Sequence, residues 1–321
     1  MIPFSFSKTK KTFTGPSMSS LATLMQSYAD TKSLNQLEGS CRTKIDGVYF
    51  FRSEKGNGKQ PFVYQSGIIV MGQGHKRVHL GQQSVTYGVG DCLVVGVPMP
   101  LECEAFPVNG KPILGLSIDV DSQVLQHLVS QLSDSLFTQA NSHAGKSLPY
   151  LKERGQLELG IQSEVLNVDL DDAFARLLKV LHCDLDAKVL GKSIVNEIVY
   201  RALLGRYGHI LLDLAQHDGH YARIAKVLNH LHQAYAEDIK VEDLAQQVHM
   251  SLSGFHRAFR EVTAETPLQY LKKVRLSKAK DLIAIEGRRA SDAAMLVGYT
   301  SPTQFSREFK RYFNATPKSF S

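Results

Sequence analysis

The sequence predicts an α+β protein of two domains. An N-terminal β-barrel or sandwich with trailing helices is followed by an all-helical C-terminal domain with two helix-turn-helix motifs joined by a linker helix. Three observations predict this fold: a length of 321 residues, short apolar runs between turn residues over 47–120, and an internal repeat in the last eighty residues. At 43% hydrophobic and 21% charged residues, the chain is able to bury a sizeable core.

The N-terminal segment 1–19 is polar and rich in Ser, Lys and Thr, so we expect a flexible arm. It has no apolar core of signal-peptide length. A helix is predicted over 21–38, where apolar residues recur at helical spacing from Leu21 to Tyr28. The longest apolar runs of the chain are strand-sized, and we therefore expect a protein of the cytoplasm that does not cross a membrane.

Eight short strands are predicted between residues 47 and 120. They are Val48–Phe51, Phe62–Tyr64, Gly67–Met71, Arg77–Leu80, Ser84–Tyr87, Cys92–Val97, Leu101–Phe106 and Ile113–Val120. Turn sequences separate them, among them GNGKQP after the first strand and PMP before the seventh. Many short strands at fairly even spacing indicate a β-sandwich or a small barrel.

Helical patterns replace the strands after Asp121. The predicted elements are an amphipathic helix from Val124 to Leu132, a loop over 141–157, a helix over 171–187 and another over 192–206. The sequence HDGH at 217–220 predicts a turn and a domain boundary. The domains are therefore predicted as 20–220 and 221–321.

The two predicted domains differ in charge. Residues 1–221 hold 21 Lys and Arg against 21 Asp and Glu, whereas residues 222–321 hold 16 against 10. The whole formal excess of +6 therefore lies in the last hundred residues. A neutral domain joined to a basic one is typical of a sensor fused to a nucleic-acid-binding domain.

The basic domain contains an internal repeat. At an offset of 50 the matched pairs are Ser251 and Ser301, Phe255 and Phe305, Arg257 and Arg307, Phe259 and Phe309, Thr266 and Thr316, Pro267 and Pro317, and Tyr270 and Phe320. Upstream, Ala245 and Val248 match Ala294 and Val297 at an offset of 49, which predicts a second turn that is one residue longer. The repeat indicates two copies of one helical unit.

Each copy is predicted to form a helix, a tight turn and a second helix. Ser251 and Ser301 are the expected N-caps, and Pro302 is the expected first residue of its helix. The side chains predicted to be buried on the second helices are Leu252, Phe255, Phe259 and Val262 in the first copy and Phe305, Phe309 and Tyr312 in the second.

The opposite faces of these second helices, over about 252–262 and 302–312, are polar and basic. The predicted DNA-binding residues are Ser253, His256, Arg257, Arg260, Thr303, Gln304, Ser306, Arg307 and Lys310. Small polar side chains approach base edges in a major groove, and Arg bonds guanine through two hydrogen bonds. The alternatives are a merely solvated face, or ion pairs of Arg257 and Arg307 within the domain.

A basic linker helix is predicted to begin at Pro267 and to join the two copies. Its basic residues are Lys272, Lys273, Arg275, Lys278 and Lys280. At about 1.5 Å per residue, a helix of about sixteen residues spans roughly 24 Å. We interpret it as the element that holds two reading helices about one duplex turn apart, roughly 34 Å between centres.

The segments LAQQVHMSLSGFHRAFR and VGYTSPTQFSREFKRYFNATPKSF resemble the C-terminal domain of the AraC/XylS family of bacterial transcription regulators. The family usually has Gly where this chain has Asn314, and Asn tolerates the left-handed backbone that Gly supplies. The segment SGIIVMGQGHKRVHLGQQSVTYGVGDCLVVGVPMP is similar to the cupin-like N-terminal domain of one branch of the family. The resemblance implies a small-molecule effector, a homodimer, double-stranded DNA and RNA polymerase as partners, and activation more often than repression.

No enzymatic function is predicted, and neither catalytic residues, a metal site nor a cofactor is expected. The HxH pair and Glu of metal-binding cupins are missing. His75 and His79 lie about 13 Å apart in an extended strand, too far to share an ion. Cys92 and Cys103 lie in apolar runs typical of core thiols. A cupin-type enzyme fused to a DNA-binding module, a DNA-repair methyl acceptor and a ligand-independent DNA binder remain as alternatives.

The identity of the effector is open at this stage. Five aromatic residues of the predicted β domain suggest a largely apolar pocket: Tyr49, Phe50, Phe51, Tyr64 and Tyr87. The alternative use of these side chains is packing of the core. All four cysteines lie far apart without a CxxC pair, which argues against a zinc knuckle and favours reduced thiols.

Overall fold

The computed structural model describes residues 20–80, 83–120, 123–131, 160–215 and 220–320. The predicted arm over 1–19, the predicted loop over 141–157 and most of the predicted turn at 217–220 lie outside the described residues.

The described residues of the N-terminal part form ten strands. They are β1 Gly39–Arg42, β2 Val48–Ser53, β3 Asn57–Tyr64, β4 Gly67–Gln73, β5 His75–Leu80, β6 Gln83–Gly88, β7 Asp91–Val95, β8 Met99–Phe106, β9 Ile113–Asp119 and β10 Ile161–Val165. One sheet has the order β1-β2-β9-β4-β7-β10 and the other has the order β3-β8-β5-β6. Buried side chains of both sheets join one hydrophobic cluster, as the predicted sandwich or barrel requires.

Two sequences predicted as turns are parts of strands. GNGKQP forms most of β3, and PMP contributes the start of β8. β3 is an edge strand with half of its residues exposed, so it lacks apolar alternation and tolerates Pro61. Asn57 begins β3 and donates from its side chain to the Cys103 carbonyl at 2.9 Å. β1 and β10 were not predicted, because β1 is short and largely exposed and β10 is short and only partly buried.

The helices surround the sheets and form the C-terminal part. They are α1 Ser20–Thr31, α2 over residues 123–131, α3 Val168–Val180, α4 Asp184–Leu203, α5 Gly208–Ala215, α6 His220–Gln233, α7 Val241–Gln247, α8 Leu252–Thr263, α9 Pro267–Ala284, α10 Ala290–Leu296 and α11 Pro302–Phe313, followed by a 3-10 turn, Pro317–Phe320. None of these described helices has the length and apolar character needed to cross a bilayer.

Two helix boundaries differ from the prediction. α1 ends at Thr31 rather than at 38, because Ser33 adopts a left-handed backbone (φ 56) that ends the helical path. The helix predicted over 171–187 is interrupted after Val180, and α4 then runs without a break to Leu203. Apolar residues continue at helical spacing through this interruption, so periodicity alone misplaced it.

The two parts of the chain share a packed boundary. α9 lies against β3 and β8, and the Tyr270 hydroxyl donates to the Pro98 carbonyl. The amide of Gly160 donates to the Val262 carbonyl of α8 at 3.5 Å. The core of the sheets therefore continues into the first helical unit, which places that unit directly beside the β domain.

Candidate nucleic-acid interface

The two second helices, α8 and α11, begin in the same way. The Ser251 Oγ accepts from the Gly254 amide at 3.2 Å, and the Ser301 Oγ accepts from the Gln304 amide at 3.3 Å. Pro302 is the first residue of α11. These contacts satisfy amides that lack a partner within the helix, and they confirm the predicted caps.

The turns before α8 and α11 both need a left-handed residue. His249 has φ 52 in the first turn, and Gly298 has φ 86 at the matched position of the second. A Cβ at residue 298 would lie 2.5 Å from the Ala236 carbonyl oxygen, so only glycine fits there. The second turn is one residue longer, as the repeat predicts. Asn314 after α11 has φ 54, the left-handed conformation expected of it.

The inner faces of α8 and α11 agree with the predicted stripes except at two residues. Phe255, Phe259 and Val262 are fully buried. Leu252, predicted to be buried, is 42% exposed, because it is the first residue of α8 and lies beyond the edge of the core. Tyr312, the other exception, is only partly buried.

The outer faces of α8 and α11 bring together the residues predicted to contact DNA. All nine are exposed: Ser253, His256, Arg257 and Arg260 on α8, and Thr303, Gln304, Ser306, Arg307 and Lys310 on α11. Within the described part of the chain, none of the four cations among them has a carboxylate within 4.0 Å. The alternative of internal ion pairs is therefore not found for Arg257 and Arg307.

Arg311 is an exposed cation that the sequence analysis missed. It follows Arg307 by four residues on α11 and is exposed. Residues four apart share one side of a helix, so Arg311 extends the basic surface by one turn. The same spacing was readable in the sequence.

The cations of the linker helix have partners within the protein. α9 has 18 residues, or about 27 Å of helix. Lys272 bonds Glu308 at 3.0 Å, and Lys273 pairs with Glu265. Lys278 lies over the ring of Tyr235, and Lys280 lies over the rings of Phe313 and Phe320.

Arg275 binds backbone carbonyls of the segment after α6 and of the turn before α11. Its guanidinium donates to the carbonyls of Tyr235 at 2.7 Å, Glu237 at 2.8 Å and Gly298 at 3.3 Å. The positive charge of the linker helix therefore fastens the two units together.

Glu308 is a buried carboxylate on the inner side of α11. It accepts from Tyr299 Oη at 2.9 Å, from Lys272 Nζ at 3.0 Å and from Gln304 Nε2 at 3.3 Å. Burial opposes ionisation, but these hydrogen bonds outweigh it and lower the pKa of the carboxyl. Glu308 thus holds α11 against α9 at a fixed position.

A cavity of about 570 Å³ lies in the β domain, between the two sheets. Tyr49, Phe51 and Tyr64 line it, whereas Phe50 and Tyr87 are fully buried elsewhere in the core. The predicted aromatic set therefore divides between pocket and core. The volume lies within the range of about 300–1,000 Å³ that is usual for small-molecule sites.

The histidines and cysteines of the β domain make ordinary structural contacts. His75 stacks on Phe106 with ring centroids 4.8 Å apart, and His79 Nε2 lies 2.8 Å from Glu104 Oε2. Cys92 and Cys103 are buried, and burial raises the pKa of each thiol. Among the described residues, no three His, Cys, Asp or Glu side chains converge as metal ligands would.

Two family models match the chain. The model of the AraC-type transcriptional regulator N-terminus matches residues 44–210, and a helix-turn-helix domain model matches residues 244–321. The first covers β2 to β10, the helices α2 to α4 and the start of α5, and the second covers most of α7 and all elements after it.

Curated relatives match part of the chain. The transcriptional activator RhaS of Klebsiella pneumoniae is 34% identical over 97 residues, which are 30% of this chain and 35% of RhaS. The transcriptional regulator AlkR of Acinetobacter baylyi is 36% identical over 100 residues, 31% of this chain and 33% of AlkR. The chain thus spans about a third of the length of these relatives.

Solved structures of ToxT from Vibrio cholerae share the fold of nearly the whole chain. An apo variant has a TM-score of 0.52 at 9% identity and covers 87% of this chain and 98% of its own. Wild-type ToxT with a bound unsaturated fatty acid has a TM-score of 0.54 at 9% identity, with 85% and 93% covered. At such low identity the likeness extends to the fold alone. The match of the first family model over more than half of the sequence shows the relationship, and the chain belongs to the AraC-type transcriptional regulators.

Proposed function

We propose that the protein is a sequence-specific DNA-binding transcription regulator that places α8 and α11 in successive major grooves of double-stranded DNA. The observation that carries this proposal is the duplicated outer face, whose cations have no acidic partner in the described part of the chain. Cations without internal partners are free to neutralise phosphates and to bond guanine. The comparison with RhaS, an activator, favours activation through contact with RNA polymerase.

The β domain is the proposed sensor, with a boundary to the DNA-binding domain near residue 220. The cavity supplies space for a small molecule. Strands β3 and β8 contribute to its wall and also contact α9. A ligand that favours one arrangement of these strands would therefore bias the arrangement of the linker helix and the DNA affinity.

A second copy of the chain is the proposed partner of α4. Leu185 and Val189 are 67% and 64% exposed on one side of this helix, and exposed apolar side chains at helical spacing suit a helix-to-helix contact. The proposed regulator acts in the cytoplasm, has no enzymatic activity and needs no cofactor. Metal analysis of the purified protein tests the competing cupin-enzyme function.

Replacing the central arginines tests DNA reading. Arg257→Ala and Arg307→Ala should each weaken binding to a footprinted operator by about 1–3 kcal/mol, because each removes a bidentate contact to a base. The measurement is a titration of operator DNA against each variant at one salt concentration.

Lysine at the same positions provides the matched control. Arg257→Lys and Arg307→Lys keep the charge but lose the planar fork. They should lose discrimination between operator and unrelated DNA while retaining most of the non-specific affinity. Unchanged operator binding by both alanine variants would contradict the assignment.

A further inference from the structure

One lysine points into the cavity of the β domain. Lys76 lies on β5, where Val78 and Leu80 are buried. Alternate residues of a strand share a face, so Lys76 lies on the inward side with these two. Its ammonium reaches the opposite sheet, where Nζ lies 3.8 Å from the centre of the Phe51 ring.

The ammonium of Lys76 has no acidic partner in the described part of the chain. Burial lowers the pKa of Lys76, and the nearby Cys103 thiol only partly opposes this effect. A cation–π contact offsets only part of the free energy that burying an ion costs. The site therefore favours an anion from outside the protein.

Two other charged groups of the cavity wall have partners within the protein. Glu38 accepts from Ser53 Oγ at 2.7 Å and from the Glu54 amide at 2.8 Å. Arg52 pairs with the Glu54 carboxylate and also donates to the Leu37 carbonyl at 3.4 Å. Neither group is available to Lys76 without breaking these contacts.

Asp119 is the remaining charged residue of the wall. Burial raises the pKa of its carboxyl, opposed by a hydrogen bond from Tyr49 and by the charge of Arg42. Its ion pair with Lys76 is not formed, since the two groups exceed 4.0 Å. Among the charged side chains that line the cavity, Lys76 alone lacks an opposite charge or a hydrogen-bond acceptor in the described structure.

The rest of the wall is suited to an apolar body. Its aromatic and aliphatic members are Tyr49, Phe51, Phe62, Tyr64, Ile69, Ile113 and Ile118. A single ammonium matches a single negative charge, and the carboxylates of Glu38 and Asp119 in the same wall disfavour a dianion. A carboxylate is the small monoanion that an ammonium binds through a short charge-assisted hydrogen bond.

We propose that the cavity binds an amphipathic monocarboxylate, whose carboxylate pairs with the Lys76 ammonium while its apolar body lies against the aromatic wall. This proposal rests on the proposed function in one respect, since it treats the bound monocarboxylate as the effector of the regulator. The binding itself is a property of the cavity.

Calorimetric titration of the full chain tests the proposal. The probes are decanoate and phenylbutyrate, each paired with its neutral primary amide. Wild-type protein should bind each carboxylate at least about tenfold more tightly than its amide, a difference of about 1.4 kcal/mol. Lys76→Met and Lys76→Gln should remove this preference. Arg77→Gln, the matched control on the outward side of β5, should bind both carboxylates as the wild type does.

A second measurement does not depend on the folding of a variant. The Nζ resonance of Lys76 in ¹⁵N-lysine-labelled wild-type protein should shift as decanoate is added and should not shift with decanamide. The proposal would be overturned if the wild type bound acid and amide with equal affinity or bound neither acid. It would also be overturned if both Lys76 variants kept the wild-type carboxylate affinity, or if the Lys76 resonance did not shift.

The DNA-binding function is tested separately. Operator affinity of the ligand-free Lys76→Met variant should equal that of the wild type, because Lys76 lies in the β domain. Loss of operator binding by wild-type protein would refute the proposed function and leave the ligand result intact. Absence of carboxylate binding with normal operator binding would refute this inference alone.

Discussion

The two helix-turn-helix units have matching sequences but different surroundings. The first, α7 and α8, belongs to the hydrophobic cluster of the β sheets. The second, α10 and α11, has a cluster of its own with Phe305 and Phe309 at its centre. The first unit is therefore part of the core of the sheets, whereas the second packs on the linker helix and contacts the β domain where α11 meets β3.

One pair of matched residues shows how the sequence creates this difference. Ala258 on α8 and Glu308 on α11 occupy equivalent positions of the repeat, and both are buried. The alanine packs in a continuous apolar core, while the glutamate accepts hydrogen bonds from Lys272 and Tyr299. The repeat thus encodes the local unit, and the departures from the repeat encode what each unit is attached to.

The largest expected effect comes from truncating the matched phenylalanines. Phe255→Ala and Phe305→Ala should each lower the free energy of unfolding by about 3–5 kcal/mol, because each opens a cavity at a fully buried ring. Native-state hydrogen exchange should show destabilisation across the sheets and α8 for Phe255→Ala, but only in the second unit for Phe305→Ala. Equal loss of protection in the β strands of both variants would contradict separate cores.

Moderate acid should weaken the attachment of the first unit. Burial lowers the pKa of His232 on α6 from 6.5 to about 4. Between pH 6.5 and pH 4 the unfolded chain therefore binds more protons than the folded chain. The free energy of unfolding is highest above pH 6.5 and falls by up to about 3 kcal/mol towards pH 4. Urea unfolding over this range measures the slope, and His232→Gln should abolish the part that comes from this ring. An unchanged slope in the variant would rule out His232 as its source.

Stronger acid should release the second unit. The folded pKa of Glu308 is lowered, so its contribution is present above the usual 4.5 and is lost as the pH falls through the folded value. Glu308→Gln should cost about 2 kcal/mol at neutral pH, since it removes charge-assisted hydrogen bonds to Lys272. Glu286→Gln, an exposed control, should stay within about 0.5 kcal/mol. Thermal unfolding measures the stability of both variants. Equal effects of the two substitutions would contradict the role of Glu308 in holding α11 against α9.

The smallest expected effect concerns a single hydroxyl between the domains. Tyr270 donates to the Pro98 carbonyl, and His232 Nε2 lies 2.8 Å from the same hydroxyl, which makes the histidine the donor of that second bond. Tyr270→Phe should cost about 1 kcal/mol and should raise hydrogen exchange at the boundary between α9 and β8. Exchange that rises in α10 and α11 instead would show that the two units are not separately attached.

The sequence was most informative where a local rule acts. Ser251 and Ser301 were predicted as caps, because a hydroxyl before an apolar run satisfies free amides. The interruption after Val180 was misplaced, because apolar spacing does not distinguish one helix from two in line. β3 was predicted too short because an exposed edge strand lacks the alternation that burial imposes on other strands.

The candidate sites show the same limit. The nine outward residues of α8 and α11 follow from helical periodicity, whereas the partners of the linker cations do not, because Lys272 and Glu308 are far apart in the chain and meet only after packing. Lys76 was readable as an inward residue from its alternation with Val78 and Leu80. Its lack of an acidic partner depends on every strand that surrounds the cavity.

By itself, the sequence determined a neutral β domain, a basic domain with a repeated helical unit, and the outward face of each reading helix. These follow from periodicities and caps that involve neighbouring residues. Only the tertiary structure decided that the linker cations bind the protein and that the first unit shares the core of the sheets. It also decided that an ammonium without an acidic partner among the described residues faces a cavity. Each of these depends on which distant side chains are brought within hydrogen-bonding or packing distance, and the spacing along the chain does not encode that distance.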